Sequence, residues 1–227
     1  MPVFFVIIFL MNNYDLILYD LDGTLWDSIS VIMDSFKHAY IEVFGRCDRS
    51  DSDLMSYIGR PLTDTFSMHD PETEKKLLDS YLVYNHDLLN HDCINMFPGV
   101  IDDLNRIKEL GYRQGVVTSK RHESADVTLK FKGLYDFFDV CLCKEDTEKH
   151  KPDGEPLIIA ANKLGIEDMS RVIYVGDALP DALCAKNAGA QFALVSWSQM
   201  DKEDIMKKAP EGAFMIDSIF ELVSSKK

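Results

Sequence analysis

Between residues 114 and 195 the chain repeats one pattern: a short apolar run, then a stretch with helical spacing. The runs are Gln114-Gly115-Val116-Val117-Thr118, Phe138-Asp139-Val140-Cys141-Leu142, Arg171-Val172-Ile173-Tyr174-Val175 and Phe192-Ala193-Leu194-Val195. An earlier run, Leu16-Ile17-Leu18-Tyr19, has the same character. Strands that are apolar along their whole length are buried on both faces, and helices between them imply parallel pairing. The expected fold is therefore α/β: a parallel sheet with helices on both sides. Pro156 suits the first turn of a helix over 155–164. Gly111 and Gly189 suit the C-terminal ends of helices over 101–110 and up to 188. Residues 28–97 show helical spacing, as in Ile32, Phe36 and Tyr40, and no convincing strand.

In such sheets the active site lies beyond the carboxyl ends of the strands. The first strand is followed by Asp20-Leu21-Asp22-Gly23-Thr24. Residues two apart on an extended segment point the same way, so Asp20 and Asp22 present two carboxylates together. A like-charged pair is costly without a cation or a shared proton, which suggests a metal site, an acid/base pair, or both. The second strand ends in Thr118 and Ser119, followed by Lys120; Lys151-Pro152-Asp153 lies beyond the third; Gly176-Asp177-Ala178-Leu179-Pro180-Asp181 follows the fourth. Each has a plain alternative: Asp177 as a helix cap, Thr118 and Ser119 as turn residues, Lys151 as a solvated lysine. Four such segments at strand ends argue for a site.

A net charge of −14 argues against nucleic acid or an anionic membrane surface as the main partner. An anionic substrate is still admissible where a cation and a few basic residues reverse the field. The five cysteines form no CxxC pair and no Cys/His zinc spacing, so Cys141 and Cys143 are expected to be small buried thiols. A reducing, cytoplasmic setting fits that usage. Residues 1–11 are apolar but too few to span a bilayer as a helix, and they lack a basic n-region. The first ten residues are expected to be an extension upstream of a start at Met11; a weak membrane or partner anchor is the rival reading.

The four segments, in this order, resemble the motifs of the haloacid dehalogenase-like hydrolase superfamily, in its phosphoglycolate phosphatase-like subgroup with a helical cap. Asp20 to Thr24 matches DxDGT, Thr118 the motif ending strand two, Lys151 the motif lysine, and Gly176 to Asp181 GDxxxD. Gly154 stands where the family's KPxPEP has a proline, a departure expected to change loop stiffness more than chemistry. The resemblance implies a Rossmann-like core over 12–26 and 98–227, an inserted helical cap over 27–97 and an N-terminal extension over 1–11. It implies Asp20 as nucleophile, Asp22 as general acid and base, and Thr118, Ser119 and Lys151 on the phosphoryl oxygens. It implies Mg2+ held by Asp20, the Asp22 carbonyl and Asp177, with Asp181 nearby.

The function implied is a Mg2+-dependent phosphatase acting on a small phosphorylated metabolite, phosphoglycolate first. Residues 116–120 and 186–190 also resemble bacterial pyrophosphatases of the subgroup. Nucleotide or sugar phosphates, a mutase on the same acids, and a non-catalytic phosphate-binding protein are the other readings. Arg60, in Ile58-Gly59-Arg60-Pro61-Leu62, resembles the cap loop that reaches toward substrate; it is equally a surface arginine. Trp197 and Phe192 are expected to pack in the core or a loop.

Overall fold

The computed structural model describes residues 14–58, 62–91 and 93–223. The apolar opening and Arg60 lie outside the described residues. Strand β1 (Leu16–Tyr19) is wholly buried at the centre of a six-stranded sheet. Around it stand β4 (Arg113–Val117), β5 (Val140–Leu142), β6 (Val172–Gly176), β7 (Gln191–Val195) and β8 (Phe214–Ile216). The order is β5-β4-β1-β6-β7-β8, and every pair is parallel. The period of two along β1 divides the core: Ile17 and Tyr19 face one layer, Leu16 and Leu18 the other. The first layer includes Val100, Leu104 and Ile107 of α5 (Val100–Glu109) and Leu129 of α6 (His122–Phe131). The second includes Leu157 and Ala160 of α7 (Glu155–Lys163) and Ala182 and Ala185 of α8 (Leu179–Ala188). Helix α9 (Lys202–Lys208) adds Ile205 to this layer. The fold is the expected α/β sheet sandwiched by helices.

The expected strands and helices recur with ends moved by a residue or two. Strand β8 has no counterpart in the sequence reading; it is a short edge strand in which only Ile216 is buried, so it lacks the continuous apolar run of a central strand. Another correction concerns residues 28–97, expected to hold no strand. Strand β3 (Asn95–Met96) lies there and pairs antiparallel with β2 (Trp26–Asp27). Two-residue strands are fixed by their partner, not by local pattern.

Between β2 and β3 run α1 (Ile29–Phe44), α2 (Asp51–Met55), α3 (Leu62–Phe66) and α4 (Pro71–Asn90). They have their own apolar cluster, centred on Phe36. Its ring meets Tyr57, Phe66 and Tyr81 with centroids 5.7, 5.9 and 4.9 Å away, within the range of favourable aromatic pairs. Asp70 caps α4 by accepting from the amides of Glu72 and Thr73, with Pro71 opening the helix. Among the described residues no helix is long and apolar enough to cross a membrane.

Candidate active site

The carboxyl ends of β1, β4 and β6 meet at one edge of the sheet. Asp20 leaves β1 with its amide bonded to Val175 of β6, so the neighbouring strand fixes its position. Lys151 comes from the loop before α7. Its buried ammonium lies 3.0 Å from Asp20 Oδ1 and donates to Asp181 Oδ1 at 2.7 Å and to the Tyr174 hydroxyl at 3.1 Å. Tyr174 in turn donates to the Val117 carbonyl at 2.7 Å. Its place in the middle of an apolar strand gave no hint of this role.

Asp20, Asp177 and Asp181 each place a carboxylate oxygen within 4.8 Å of the others. Burial pushes the Asp20 carboxyl up to about 6; Lys151 opposes the shift, while Asp181 and Asp22 add to it. Burial also raises Asp177 well above the usual carboxylate range, reinforced by Asp181 and Asp20. Burial works against the Lys151 charge, but Asp181 and Asp20 outweigh it and raise the ammonium above its ordinary value.

Asp22 points elsewhere. Its Oδ1 accepts from Trp26 Nε1 at 2.8 Å and Ser28 Oγ at 2.5 Å, and Lys120 Nζ lies 3.0 Å from Oδ2. Burial alone would raise this carboxyl; Lys120 and the Ser28 and Trp26 donors together bring it below the ordinary value. The two aspartates therefore sit two residues apart in opposite electrostatic surroundings. Sequence reasoning found Lys120 as a neighbour of Thr118 and assigned it no partner; Trp26 and Ser28 it missed.

Three details tighten the geometry. Gly23 has φ 78°, and a Cβ there would lie 2.2 Å from Asp177 Oδ2, so only glycine lets the two loops touch. Trp197 donates to the Thr24 carbonyl at 3.2 Å and pins the same loop, the loop role expected of it, while Phe192 is wholly buried in the core. Asp177 does not cap α8, as the sequence allowed. The helix begins at Leu179, and Asp181 Oδ2 accepts from the Ala178 amide at 3.0 Å instead. Asp177 is thereby left free of capping duty.

The acid cluster has the character of a cation site. Among the described residues Asp177 Oδ2 is buried with no hydrogen-bond partner, and Asp20 Oδ1 is buried with only the Lys151 ammonium, 3.0 Å away, beside it. When ionised, Asp20, Asp22, Asp177 and Asp181 set four negative charges against Lys120 and Lys151. The excess equals the charge of one divalent cation. Carboxylate oxygens suit a hard ion, and these residues fit one.

Thr118 is buried at the end of β4, its hydroxyl accepting from the Lys120 amide at 3.3 Å. With Ser119, Lys120, Asp20 and Asp22 it forms the floor of a cavity of about 440 Å³. The roof is Ile32, Phe36, Ile58, Leu78, Tyr81 and Leu82 from the inserted helices, and Arg121 and Lys144 stand at the side. Asp20, Asp22, Thr118 and Ser119 line this cavity, whereas Lys151, Asp177 and Asp181 do not line it and gather around Asp20.

A model of the haloacid dehalogenase-like hydrolase family matches residues 17–195. The chain belongs to that family. Pyrophosphatase PpaX of Halalkalibacterium halodurans is 35% identical over 205 residues, covering 86% of this chain and 93% of the relative. Pyrophosphatase PpaX of Bacillus pumilus is 32% identical over 215 residues, covering 94% and 96%. A haloacid dehalogenase-like family hydrolase from Streptococcus pneumoniae superposes with a TM-score of 0.79 over 93% of this chain and 98% of its own, at 22% identity. This hydrolase therefore carries its family's fold along nearly the whole described chain.

Proposed function

We propose that this hydrolase is a Mg2+-dependent phosphatase that removes the phosphoryl group of a small phosphorylated metabolite by way of Asp20. One observation carries the reading: a buried carboxylate, Asp20, lies between Lys151 and an acid cluster, beside a second carboxylate whose surroundings shift it the other way. An oxygen of Asp20 attacks phosphorus, and the bond from phosphorus to the leaving oxygen breaks. Asp22 gives its proton to that oxygen. It then takes a proton from the water that attacks the aspartyl-phosphate, restoring Asp20 and releasing phosphate. Lys120 lowers the Asp22 carboxyl in the structure, so substrate has to draw Lys120 toward its own phosphate, letting Asp22 take up a proton from solvent, before the first proton is given.

Thr118, the Ser119 amide and Lys151 hold the phosphoryl oxygens; removing one such donor typically costs about 3 kcal/mol in barrier. Asp20, Asp177, Asp181 and the Asp22 carbonyl would hold Mg2+. When bound, the ion supplies charge that lets a carboxylate approach an anionic phosphate. Residues 27–97 act as a cap; the pairing of β2 with β3, where the chain leaves and re-enters the core, supports a hinge at that place.

The cavity, at about 440 Å³ with an apolar roof, is of the size that takes small organic ligands, about 300–1,000 Å³. It favours a phosphate ester with a carbon body, phosphoglycolate first. Inorganic pyrophosphate is the second reading, favoured by relatives named pyrophosphatase. Phosphate release from phosphoglycolate, nucleotide and sugar phosphates and pyrophosphate, with Mg2+ or chelator, tests both. A Mg2+-dependent preference for one ester supports the first reading, and a preference for pyrophosphate the second. No release from folded protein on any of them overturns the proposal.

A further inference from the structure

Away from the acid cluster, a second group of side chains combines nitrogen, sulfur and oxygen donors. Strand β5 lies at the edge of the sheet. Cys141 on it and Cys143 just beyond it are two residues apart, Cys143 being buried. The turn at Lys144–Asp146 then folds back, and Asp146 Oδ2 accepts from the Cys143 amide at 2.7 Å. From the other side the first residue of α6 brings His122 Nε2 to 2.9 Å from Asp146 Oδ2. Ligand atoms of His122, Cys143 and Asp146 all lie within 4.8 Å of one another.

We infer that His122, Cys143 and Asp146 form a second cation site, for a thiophilic divalent ion of the zinc type, with the fourth position left to solvent. Zinc takes four ligands at about 2.0–2.3 Å, which sets tetrahedral donors roughly 3.3–3.8 Å apart. A thiolate and an imidazole select against Mg2+ and calcium, which prefer oxygen throughout.

The frame that carries the ligands is already fastened. Glu145 accepts from the His122 amide and from Arg121 Nε, both at 3.1 Å, and the Lys144 amide donates to the Lys120 carbonyl at 2.9 Å. Such surrounding bonds orient ligands before the ion arrives. Entry is open, because the side chains of His122 and Asp146 are 44% and 25% exposed, while the sulfur of Cys143 lies beneath them. His122 follows Thr118, Ser119, Lys120 and Arg121 directly, so an ion here would tie the phosphate-binding loop to the sheet edge. The spacing rules missed the group because its ligands come from two separate segments.

The test is a cobalt(II) titration of the full chain, kept reduced and saturated with Mg2+. The expected result is a thiolate-to-cobalt charge-transfer band with the intense visible bands of a tetrahedral ion, saturating at one equivalent and displaced by zinc. Cys143→Ser should abolish the charge-transfer band, and His122→Ala should weaken cobalt binding at least about tenfold. His122 is partly exposed, so its variant serves even where Cys143→Ser fails to fold. Folded protein with no thiolate band, a band surviving Cys143→Ser, or unchanged affinity in His122→Ala would each overturn the inference.

Discussion

Replacing Lys151 with methionine removes an ammonium that touches both Asp20 and Asp181. The lysine side chain is 2% exposed, and the two carboxylates 5% and 1%. Breaking a buried ion pair by deleting one partner costs about 3–5 kcal/mol, because an uncompensated charge stays behind. For a chain of this size each kcal/mol moves the melting temperature by about 2–4 °C, so Lys151→Met in chelator should melt roughly 6–20 °C below wild type near pH 8. The deficit should shrink near pH 5. Lys151 holds Asp20 down, yet burial still leaves it at about 6; without the lysine it titrates higher and is neutral in acid. Added Mg2+ should recover part of the loss near pH 8 by supplying the missing positive charge. Thermal unfolding followed by circular dichroism at both pH values, with chelator and with Mg2+, reads all three effects. A deficit below about 1 kcal/mol near pH 8, or one unchanged near pH 5, would refute the claim that Lys151 balances a buried carboxylate pair.

The metal-free wild type should itself lose stability as pH rises. An unfolded Asp titrates near 4, whereas folded Asp20 titrates at about 6. Its cost is absent below the lower value and complete above the higher, about 3 kcal/mol in all; melting curves in chelator should show the decline, and Mg2+ should flatten it. In Lys120→Met the Asp22 carboxyl loses the charge that lowers it most. The alkaline limb of the kcat/KM profile, set by the protonated Asp22 that the first step needs, should then move to higher pH, and an unmoved limb would separate Lys120 from the proton path. Gly154→Ala should destabilise by about 1–3 kcal/mol with little change in kcat. A Cβ at Gly154 would lie 2.5 Å from the Ala188 amide nitrogen, so denaturant titration should show a shifted midpoint.

How legible this molecule was from sequence depends on the range of the forces involved. The long apolar strands and the order of the four acid, hydroxyl and lysine segments declared themselves, because each is local in the chain. Strand β8 did not, being a short edge strand in which only Ile216 is buried, nor did the β2–β3 pair, since two residues acquire strand structure only from a neighbour. Asp177 was readable as a helix cap, and only the packed site shows Asp181 in that role. Gly154 looked like a softer substitute for proline in a loop; the structure adds that the backbone of α8 passes too close for any side chain. The opposite charge environments of Asp20 and Asp22 depend on Lys151 and Lys120, contacts made across at least 98 residues of chain.

The central claim is that Asp20 takes the phosphoryl group. The most direct measurement is to quench the enzyme during turnover of a phosphorus-radiolabelled substrate, reduce it with borohydride and map the modified residue by mass spectrometry. Asp22→Asn, in which release from the intermediate is slowed, is the protein to use. The account predicts an acid-stable, hydroxylamine-sensitive label, reduction to homoserine at position 20, and no label in an Asp20→Asn companion. Turnover with no covalent label, or a label on another residue, would contradict it.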